Sequence, residues 1–338
     1  MAGDILSRSI DVGGVPIPAR AWISPMTGVS DLPFRQTAAA LGASYVATEM
    51  VASEQFARGR PDVVRRAAVG EASPLMVIQL VGADPVWVGR AAHLARRAGA
   101  QIIDLNFGCP CKSVTGIASG SAVMRQPELA RAIVAAAVDA QDAPVSVKMR
   151  LGWDEADRNA AEIARQAEQV GARCITVHGR TRSQMYAGQA DWVAVAEVKA
   201  AVRIPVIVNG DIVDLISAKR ALALSGADGV MLGRGAIGAP WLATEIEAGL
   251  SGFGYRRPRG SALAEIVLGH FQASLTFYGP ELGVRVFRKH LAAYLTKAWP
   301  GCGNGLRDTR ARLCRLETPA EVAAAIERAF QEPDRLAA

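Results

Sequence analysis

Short apolar runs alternate with alanine-rich, helix-forming segments along the first 250 residues of the chain. Each run has the length and composition of a buried strand, and eight of them recur at regular intervals. This repeat predicts an α/β fold, a (β/α)8 TIM barrel, and favours closure over the alternative of a doubly wound open sheet. The predicted strands are Ala21–Ser24, Tyr45–Thr48, Leu75–Leu80, Ile102–Leu105, Val145–Met149, Cys174–Val177, Val206–Val208 and Gly229–Leu232.

Aspartates mark the starts of several of the predicted helices. Asp84 stands before Pro85, which pairs an N-cap residue with a proline at the first helical position. Asp191 and Asp214 precede two further helices, and the second of these should stop at Gly226. These signals place a helix after each of three strands, as the barrel requires.

The strand pattern stops after Gly254. Residues 256–260 form a polar, proline-containing linker, and only helical segments follow it. The sequence therefore predicts two domains, a barrel over residues 1–250 and a small all-helical domain over residues 251–338. The predicted helices of the second domain are 261–278, 281–298, 305–315 and 319–331.

The positive charge of the chain is concentrated in its last quarter. Residues 251–338 carry 13 Lys and Arg against 8 Asp and Glu, whereas the preceding 250 residues have a net charge of only +1. On one predicted helix the spacing i, i+3, i+4 puts three cations on one face. This predicts a surface that docks on a polyanion, although an ordinary solvated face is the alternative. The cations are Arg285, Arg288 and Lys289, and Arg307 and Arg310 repeat the spacing on the next helix.

Composition excludes several classes of protein. No apolar run approaches the ~20 residues that span a membrane, and the N-terminus lacks the apolar stretch of a signal peptide. The cysteines show neither a disulfide framework nor zinc-binding spacing. We expect a cytoplasmic protein with no metal site, no membrane association and no obligate protein partner, hence a monomer. The five cysteines are Cys109, Cys111, Cys174, Cys302 and Cys314.

Polar and small residues follow the predicted strands at their carboxyl ends. In a barrel these ends all face one mouth, which is where such folds carry their chemistry. The mouth is therefore the predicted active site. Its residues, in strand order, are Pro25, Met26, Thr27 and Gly28; Glu49; Gln79; Asn106 and Cys109; Lys148 and Arg150; His178 and Arg180; Asn209, Gly210 and Asp211; Gly233, Arg234 and Gly235.

Cys109 lies in the turn that leaves the fourth strand. Gly108 and Pro110 flank Cys109 and favour a turn, so we do not expect Cys109 in the middle of a buried strand or helix. The long segment 107–121, rich in glycine and serine, reads as a functional loop. A thiol in this position favours a reactive role over that of a buried, packed cysteine.

The loops after strands seven and eight predict a phosphate site. Their small residues expose backbone N–H groups, and Arg234 adds a fixed positive charge suited to bidentate contact. Lys148 stands on an otherwise apolar strand and needs an electron-rich partner, for which the edge of a reduced flavin is suited. Gln79 could hydrogen-bond the same ring. A Schiff-base lysine is the rival interpretation, but it leaves Cys109 unexplained.

Residues 20–250 resemble the tRNA-dihydrouridine synthase family, flavoenzymes that reduce uridine in tRNA. The C-terminal segments Tyr278–Pro280 and Arg288–Tyr294 resemble its bacterial DusB-type branch. The motifs that carry the family resemblance are Ser24–Arg35, Asp104–Pro110, Gly120–Met124, Val147–Trp153, Thr176–Arg182 and Val208–Asp211.

The resemblance implies FMN as cofactor, NADPH as reductant and a helical domain that helps to hold tRNA. It further implies Cys109 as the proton donor to C5 of uridine, with hydride going from reduced FMN to C6. FMN would be surrounded by Pro25, Met26, Thr27, Gln79, Lys148, His178, Asn209, Gly210, Asp211, Gly233 and Arg234. The substrate would contact Asn106, Arg180, Arg182, Arg285, Arg288 and Lys289.

Two other functions fit parts of the sequence. A small-molecule flavin dehydrogenase of the dihydroorotate or dihydropyrimidine type shares the phosphate loops but does not require a basic helical tail. A non-catalytic RNA-binding protein on a relict barrel would not need Cys109, Lys148 and both phosphate loops. Dependence of flavin oxidation on RNA separates the first alternative from the predicted enzyme, and retention of FMN separates the second.

Overall fold

The computed structural model describes residues 9–70, 75–299 and 303–331. Eight parallel strands lie in one sheet, and sequence neighbours are mostly spatial neighbours. Around the sheet they run in the order β3 (Ala21–Ile23), β10 (Gly229–Leu232), β9 (Val206–Asn209), β8 (Ala172–His178), β7 (Val145–Arg150), β6 (Ile102–Phe107), β5 (Val77–Val81) and β4 (Val51–Ala52).

Residues 46 and 47 connect the two ends of this sheet. Val46 bridges Ile23 of β3, and Ala47 bridges Val77 of β5, both in parallel. The predicted second strand is therefore present only as two isolated bridges followed by the two-residue β4, because it is too short to form a regular ladder. With this connection the predicted (β/α)8 TIM barrel is confirmed.

A small antiparallel hairpin precedes the barrel and was not predicted. It pairs β1 (Ile10–Val12) with β2 (Val15–Ile17). A Cβ on Gly229, at the start of β10, would lie 2.8 Å from Ile10, so the hairpin sits on the amino ends of the strands. There it joins a buried apolar cluster in which Trp22 and Tyr45 stack with ring centroids 4.2 Å apart. The hairpin thus covers the end of the barrel opposite the mouth.

The helices that follow the strands cover the outside of the sheet. The predicted N-caps are confirmed: Asp84 accepts from Val86 N, Asp191 from Ala194 N, and Asp214 from Ser217 N. The helices are α1 (Leu32–Ala40), α2 (Ser53–Ala57), α3 (Pro61–Arg66), α4 (Pro85–Arg97), α5 (Lys112–Thr115), α6 (Pro127–Asp139), α7 (Ala160–Gln169), α8 (Trp192–Ala201), α9 (Leu215–Ser225) and α10 (Leu242–Leu250).

Four further helices follow the linker, as predicted from the sequence. They are α11 (Gly260–Tyr278), α12 (Pro280–Ala298), α13 (Gly303–Leu313) and α14 (Pro319–Gln331). Helix α11 packs on α1 of the barrel on one side and on α12 and α14 on the other. The exact domain boundary at residues 250 and 251 stays a prediction.

In the described parts of the chain, no helix combines the length and the apolar character needed to cross a membrane. Four cysteines, Cys109, Cys111, Cys174 and Cys314, are free thiols, and Cys302 lies outside the described residues.

Candidate active site

Four adjacent strands bring polar side chains together at the mouth. In the ladder Asn106 of β6 is beside Lys148 of β7, and Arg150 of β7 is beside His178 of β8, which is beside Asn209 of β9. Lys148 Nζ donates to Asn209 Oδ1 at 3.1 Å, and Asn209 Nδ2 donates to the carbonyl of Met231 at 2.8 Å. The predicted convergence of these residues is therefore present in the fold.

The loop that carries Cys109 is fixed by hydrogen bonds at both of its ends. Asn106 Oδ1 accepts from the backbone N–H groups of Gly108 at 3.1 Å and Cys109 at 2.9 Å. Ser121 Oγ donates to the carbonyl of Cys109 at 2.9 Å, and Arg150 Nε donates to that of Gly108 at 2.8 Å. This Asx-type turn and its two clamps set the position of the thiol without using the sulfur.

A buried polar chain orients Asn106 from below. Ser146 Oγ and Gln79 Nε2 both donate to the Asp104 carboxylate, each at 2.6 Å. Gln79 Oε1 in turn accepts from Asn106 Nδ2 at 2.8 Å. Because the carboxylate at Asp104 can only accept, it fixes the direction of both amides and so turns Asn106 Oδ1 toward the cysteine loop. Burial raises the pKa of Asp104 to about 6.

The two thiols of the loop differ in their electrostatic surroundings. Cys109 is half-buried, and burial raises the pKa of its thiol. Cys111 is exposed, and its contact with Ser113, with Sγ and Oγ 3.2 Å apart, lowers its pKa. The raised pKa keeps the Cys109 thiol protonated at neutral pH, which a proton donor requires.

Lys148 is held in the mouth as a poorly compensated cation. Burial, with Arg150 adding to it, lowers its pKa to about 8, although Asp104 opposes the shift. Burial and nearby cations, Lys148 first among them, also hold the pKa of His178 well below its ordinary value. His178 Nε2 lies 3.3 Å from Arg180 Nη1, and since a guanidinium only donates, this nitrogen accepts. The mouth is thus a positive, partly desolvated region.

The loop after β9 is braced by Asp211. This residue has a positive φ of 55°, and its carboxylate accepts from Arg180 Nη2 at 2.5 Å and from Ala190 N at 2.8 Å. A longer contact of 3.3 Å reaches Arg234. The carboxylate therefore faces the protein, and a contact of Asp211 with a cofactor phosphate is best made through its backbone.

An open backbone follows β10. A Cβ added to Gly233 would meet nothing within 4 Å, whereas one at Gly210 would lie 2.8 Å from Ala190. Arg234 is exposed and lies over the ring of Tyr186, with its guanidinium carbon 5.2 Å from the ring centroid. The loop after β10 thus offers free backbone space and a cation with unused donors, whereas the space beside Gly210 is filled by Ala190 and His178.

The remaining predicted cofactor residues lie in the loop after β3. Pro25 and Met26 are half-buried and Thr27 is exposed. Ser30 Oγ accepts from Met26 N at 2.9 Å, and Glu49 Oε1 accepts from Gly28 N. The loop is therefore closed on itself and tied to Glu49 beside the mouth.

The predicted substrate cations fall into two groups. Arg285 and Lys289 are exposed, and Arg182 lies over Trp153 with its guanidinium carbon 4.5 Å from the ring centroid. Arg180, in contrast, is 1% exposed and bonds Asp211 and two backbone carbonyls. Arg288 is half-buried and donates to the carbonyl of Leu316 at 3.2 Å. The single face predicted from helical spacing is therefore reduced to Arg285 and Lys289.

A family model described as Dihydrouridine synthase (Dus) matches residues 22–332, which include both the barrel and the C-terminal helices. The chain belongs to the dihydrouridine synthase family. It is 47% identical over 326 residues to a "Probable tRNA-dihydrouridine synthase" of Rhodobacter capsulatus, covering 96% of this chain and 98% of that protein. It is 39% identical to "tRNA-dihydrouridine synthase B" of Pseudomonas aeruginosa, covering 96% of each. The predicted resemblance, and with it an enzyme of the flavin-dependent oxidoreductase class, is confirmed.

Solved structures with a similar fold share less sequence identity with this chain than these relatives do. The chain superposes on 6-hydroxypseudooxynicotine amine oxidase from Pseudomonas geniculata with a TM-score of 0.57 at 15% identity, over 74% of this chain and 50% of that one. For histamine dehydrogenase from Rhizobium sp. 4-9 the TM-score is 0.52 at 12% identity, over 80% and 51%. The chain therefore spans about half the length of these proteins, and the likeness supports the barrel fold alone.

Sequence reasoning missed three residues that shape the site of this dihydrouridine synthase family member. Asp104 anchors the chain to Asn106, and Ser121 clamps the Cys109 carbonyl. Tyr186 lies between Arg150 and Arg234, whose guanidinium carbons are 5.5 and 5.2 Å from its ring centroid. A carboxylate within an apolar strand was a usable signal for Asp104. Tyr186 gave none, because its loop reaches the mouth only through tertiary folding.

Proposed function

We propose that this chain is a tRNA-dihydrouridine synthase that reduces the C5=C6 bond of a uridine in tRNA, with FMN as cofactor and NADPH as reductant. The observation that carries the proposal is the position of the Cys109 loop at the mouth of the barrel. The family match covers this barrel and continues through the C-terminal helices. The relatives named as tRNA-dihydrouridine synthases support the same substrate class.

The residues at the mouth fit a flavin mononucleotide. Lys148 has one hydrogen bond and two further N–H groups, so an electron-rich ring edge would satisfy a cation that is otherwise poorly compensated. The open backbone at Gly233 and the exposed guanidinium of Arg234 suit a phosphate. His178, Asn209 and Gly210 would line the space between them. When bound, the flavin supplies the hydride.

The protein supplies the proton and its position. The raised pKa keeps Cys109 Sγ protonated at neutral pH, so the thiol can protonate C5 of the uracil. The Asn106 turn and the clamps from Ser121 and Arg150 hold the cysteine loop, and so limit where that proton is delivered. The substrate base must be turned out of the folded RNA to reach the mouth, which costs a few kcal/mol.

The direct test uses purified full-length protein and tRNA transcribed without modification. We expect the protein to release FMN on denaturation, to be reduced by NADPH, and to be reoxidised with formation of dihydrouridine only when tRNA is present. Reoxidation of the reduced flavin by free unsaturated pyrimidines of the orotate or uracil type, without tRNA, would instead establish the small-molecule dehydrogenase. Protein that neither holds nor takes up FMN would refute the proposal.

A further inference from the structure

A buried cluster joins the barrel to the helical domain. Asp31 is the N-cap of α1, His270 lies on α11 and His290 on α12. Their relative exposures are 4%, 1% and 1%, and one potential ligand atom from each lies within 4.8 Å of the others. Among the residues that the structure describes, this is the one group of three with the composition and spacing of a metal site.

The two imidazoles leave three buried nitrogens without a hydrogen-bond partner. These are His270 Nε2 and both Nδ1 and Nε2 of His290. His270 Nδ1 lies 3.1 Å from Tyr294 Oη, so that contact leaves Nε2 as the free atom of this ring. Buried polar groups in native proteins almost always have a partner. One ion or water can take one nitrogen from each ring, so the orphan His270 Nε2 and one of the two His290 nitrogens indicate that a further group lies between the rings.

The Asp31 carboxylate is held in place by a hydrogen bond to each of its oxygens. Asp31 Oδ1 accepts from Phe34 N at 3.1 Å, and Oδ2 accepts from Tyr278 Oη at 3.0 Å. Each oxygen keeps a second lone pair. Carboxylates that bind metals in proteins are commonly held by hydrogen bonds of this kind. Tyr278 ends α11, so this contact also ties the helical domain to Asp31.

The donor set fits a transition metal. The cluster offers imidazole nitrogens from His270 and His290 and a carboxylate oxygen from Asp31. Two imidazole nitrogens and one carboxylate oxygen favour a divalent transition metal over Mg²⁺ or Ca²⁺, which prefer oxygen ligands.

We propose that Asp31, His270 and His290 bind one divalent transition-metal ion that fastens the helical domain to the barrel. The His270 and His290 ring centroids are 4.6 Å apart. Zn–N bonds of ~2.0–2.1 Å in a tetrahedral site put donors roughly 3.4 Å apart. Donors that lie up to 4.8 Å apart must therefore approach one another by up to about 1.4 Å when the ion binds. A water molecule would complete the fourth position.

Charged groups from several elements face the cluster. Lys289 and the buried Arg35 are positive, and Glu49 is negative. Arg35 is occupied by the carbonyls of Ser30 and Ala68, and Lys289 is exposed. The alternative occupant to a metal is a water molecule that hydrogen-bonds the same nitrogens.

The experiment starts from the full chain stripped with a chelator and titrated with Zn²⁺ and Co²⁺. We expect about one tightly bound ion per chain and a melting temperature that rises with metal concentration. His290→Gln should abolish this binding, whereas His93→Gln, which alters an exposed histidine on α4, should leave it unchanged. If the stripped wild-type chain takes up no stoichiometric ion, water fills the cluster and the proposal is wrong.

Two further variants keep the test valid where His290→Gln fails to fold. Tyr278→Phe removes only the hydroxyl that holds Asp31, and should weaken metal affinity about 10–100-fold. Cys111→Ser removes the thiol that is exposed among the described cysteines, and so a competing soft ligand. Co²⁺ bound at the proposed site shows no thiolate charge-transfer band and survives Cys111→Ser. A thiolate band that disappears in this variant, or affinity unchanged in Tyr278→Phe, would overturn the assignment.

Discussion

At the scale of single residues, the two thiols of the Cys109 loop give the sharpest contrast in the molecule. Their sulfur atoms belong to residues only two positions apart, yet burial raises the pKa of one while the Ser113 contact lowers that of the other. Cys109→Ala should lower dihydrouridine formation by ~10²–10⁴-fold, the usual worth of a general acid. Flavin content and the rate of flavin reduction by NADPH should be unchanged, because neither step uses this proton.

The matched variant is Cys111→Ala, which should change turnover little. Single-turnover oxidation of the reduced enzyme by tRNA measures both variants in the same way. Equal losses in the two variants, or a larger loss in Cys111→Ala, would contradict the assignment of the acid. The sequence already favours Cys109 through its turn and the family motif, and the burial of the folded loop adds the difference in pKa between the two thiols.

Lys148 is predicted to lower the stability of the flavin-free protein. Its folded-state pKa of about 8 lies below the ordinary ~10.4 of a lysine, so the unfolded chain holds this proton more tightly. Between these values the unfolded state binds more protons, and stability therefore rises with pH. Lys148→Met should raise the melting temperature of stripped protein by a few degrees at pH 7, with a smaller gain at pH 9.5.

The same substitution should weaken retention of the flavin, because it removes the cation at the ring edge. Differential scanning calorimetry of stripped protein and flavin release on dilution provide the two measurements. A variant that is less stable at pH 7 than the wild type would show that Lys148 is well compensated without the cofactor. A gain that grows toward pH 9.5 would have the wrong sign for a depressed lysine pKa.

At the scale of elements, the loop after β9 is braced by a buried ion pair with the loop after β8. The Arg180 side chain is 2% exposed, and its partner Asp211 also bonds Ala190 N. Asp211→Ala leaves a buried guanidinium without its carboxylate and should cost roughly 3 kcal/mol of stability. Glu54→Ala breaks an exposed i,i+4 pair with Arg58 and should leave the unfolding free energy nearly unchanged. Chemical denaturation of both variants compares them directly.

Most elements of the fold follow from local sequence signals, and the exceptions have physical reasons. Asp84, Asp191 and Asp214 carry the capping information in their own side chains, so the helix starts were predictable. The hairpin β1–β2 has only three residues per strand, which is too short for a hydrophobic period to register. The Asp31 cluster could not be predicted from spacing, because Asp31 lies more than 200 residues from His270 and His290 along the chain.

At the scale of the whole molecule, the excess positive charge gives a prediction for RNA affinity. Arg285 and Lys289 are exposed on α12, while Arg288 is engaged with Leu316. The double variant Arg285→Ala, Lys289→Ala should weaken tRNA binding and reduce the slope of log K against log salt by up to roughly 1–2. Flavin content should stay unchanged. A salt slope equal to that of the wild type would move the RNA surface toward Arg182 and Trp153 at the barrel rim.

The hairpin that covers the amino ends of the strands has a kinetic consequence. Ile10, Val12 and Ile17 are buried there with Trp22 and Tyr45, so this end of the barrel is filled with side chains, and the proposed chemistry takes place at the opposite, carboxyl end of the strands. Under the proposed function, the nicotinamide donor and the RNA acceptor both react at this mouth, so they would bind there in turn. Initial rates measured at several fixed tRNA concentrations should give parallel double-reciprocal lines. An excess of either substrate should inhibit the reaction by competing with the other.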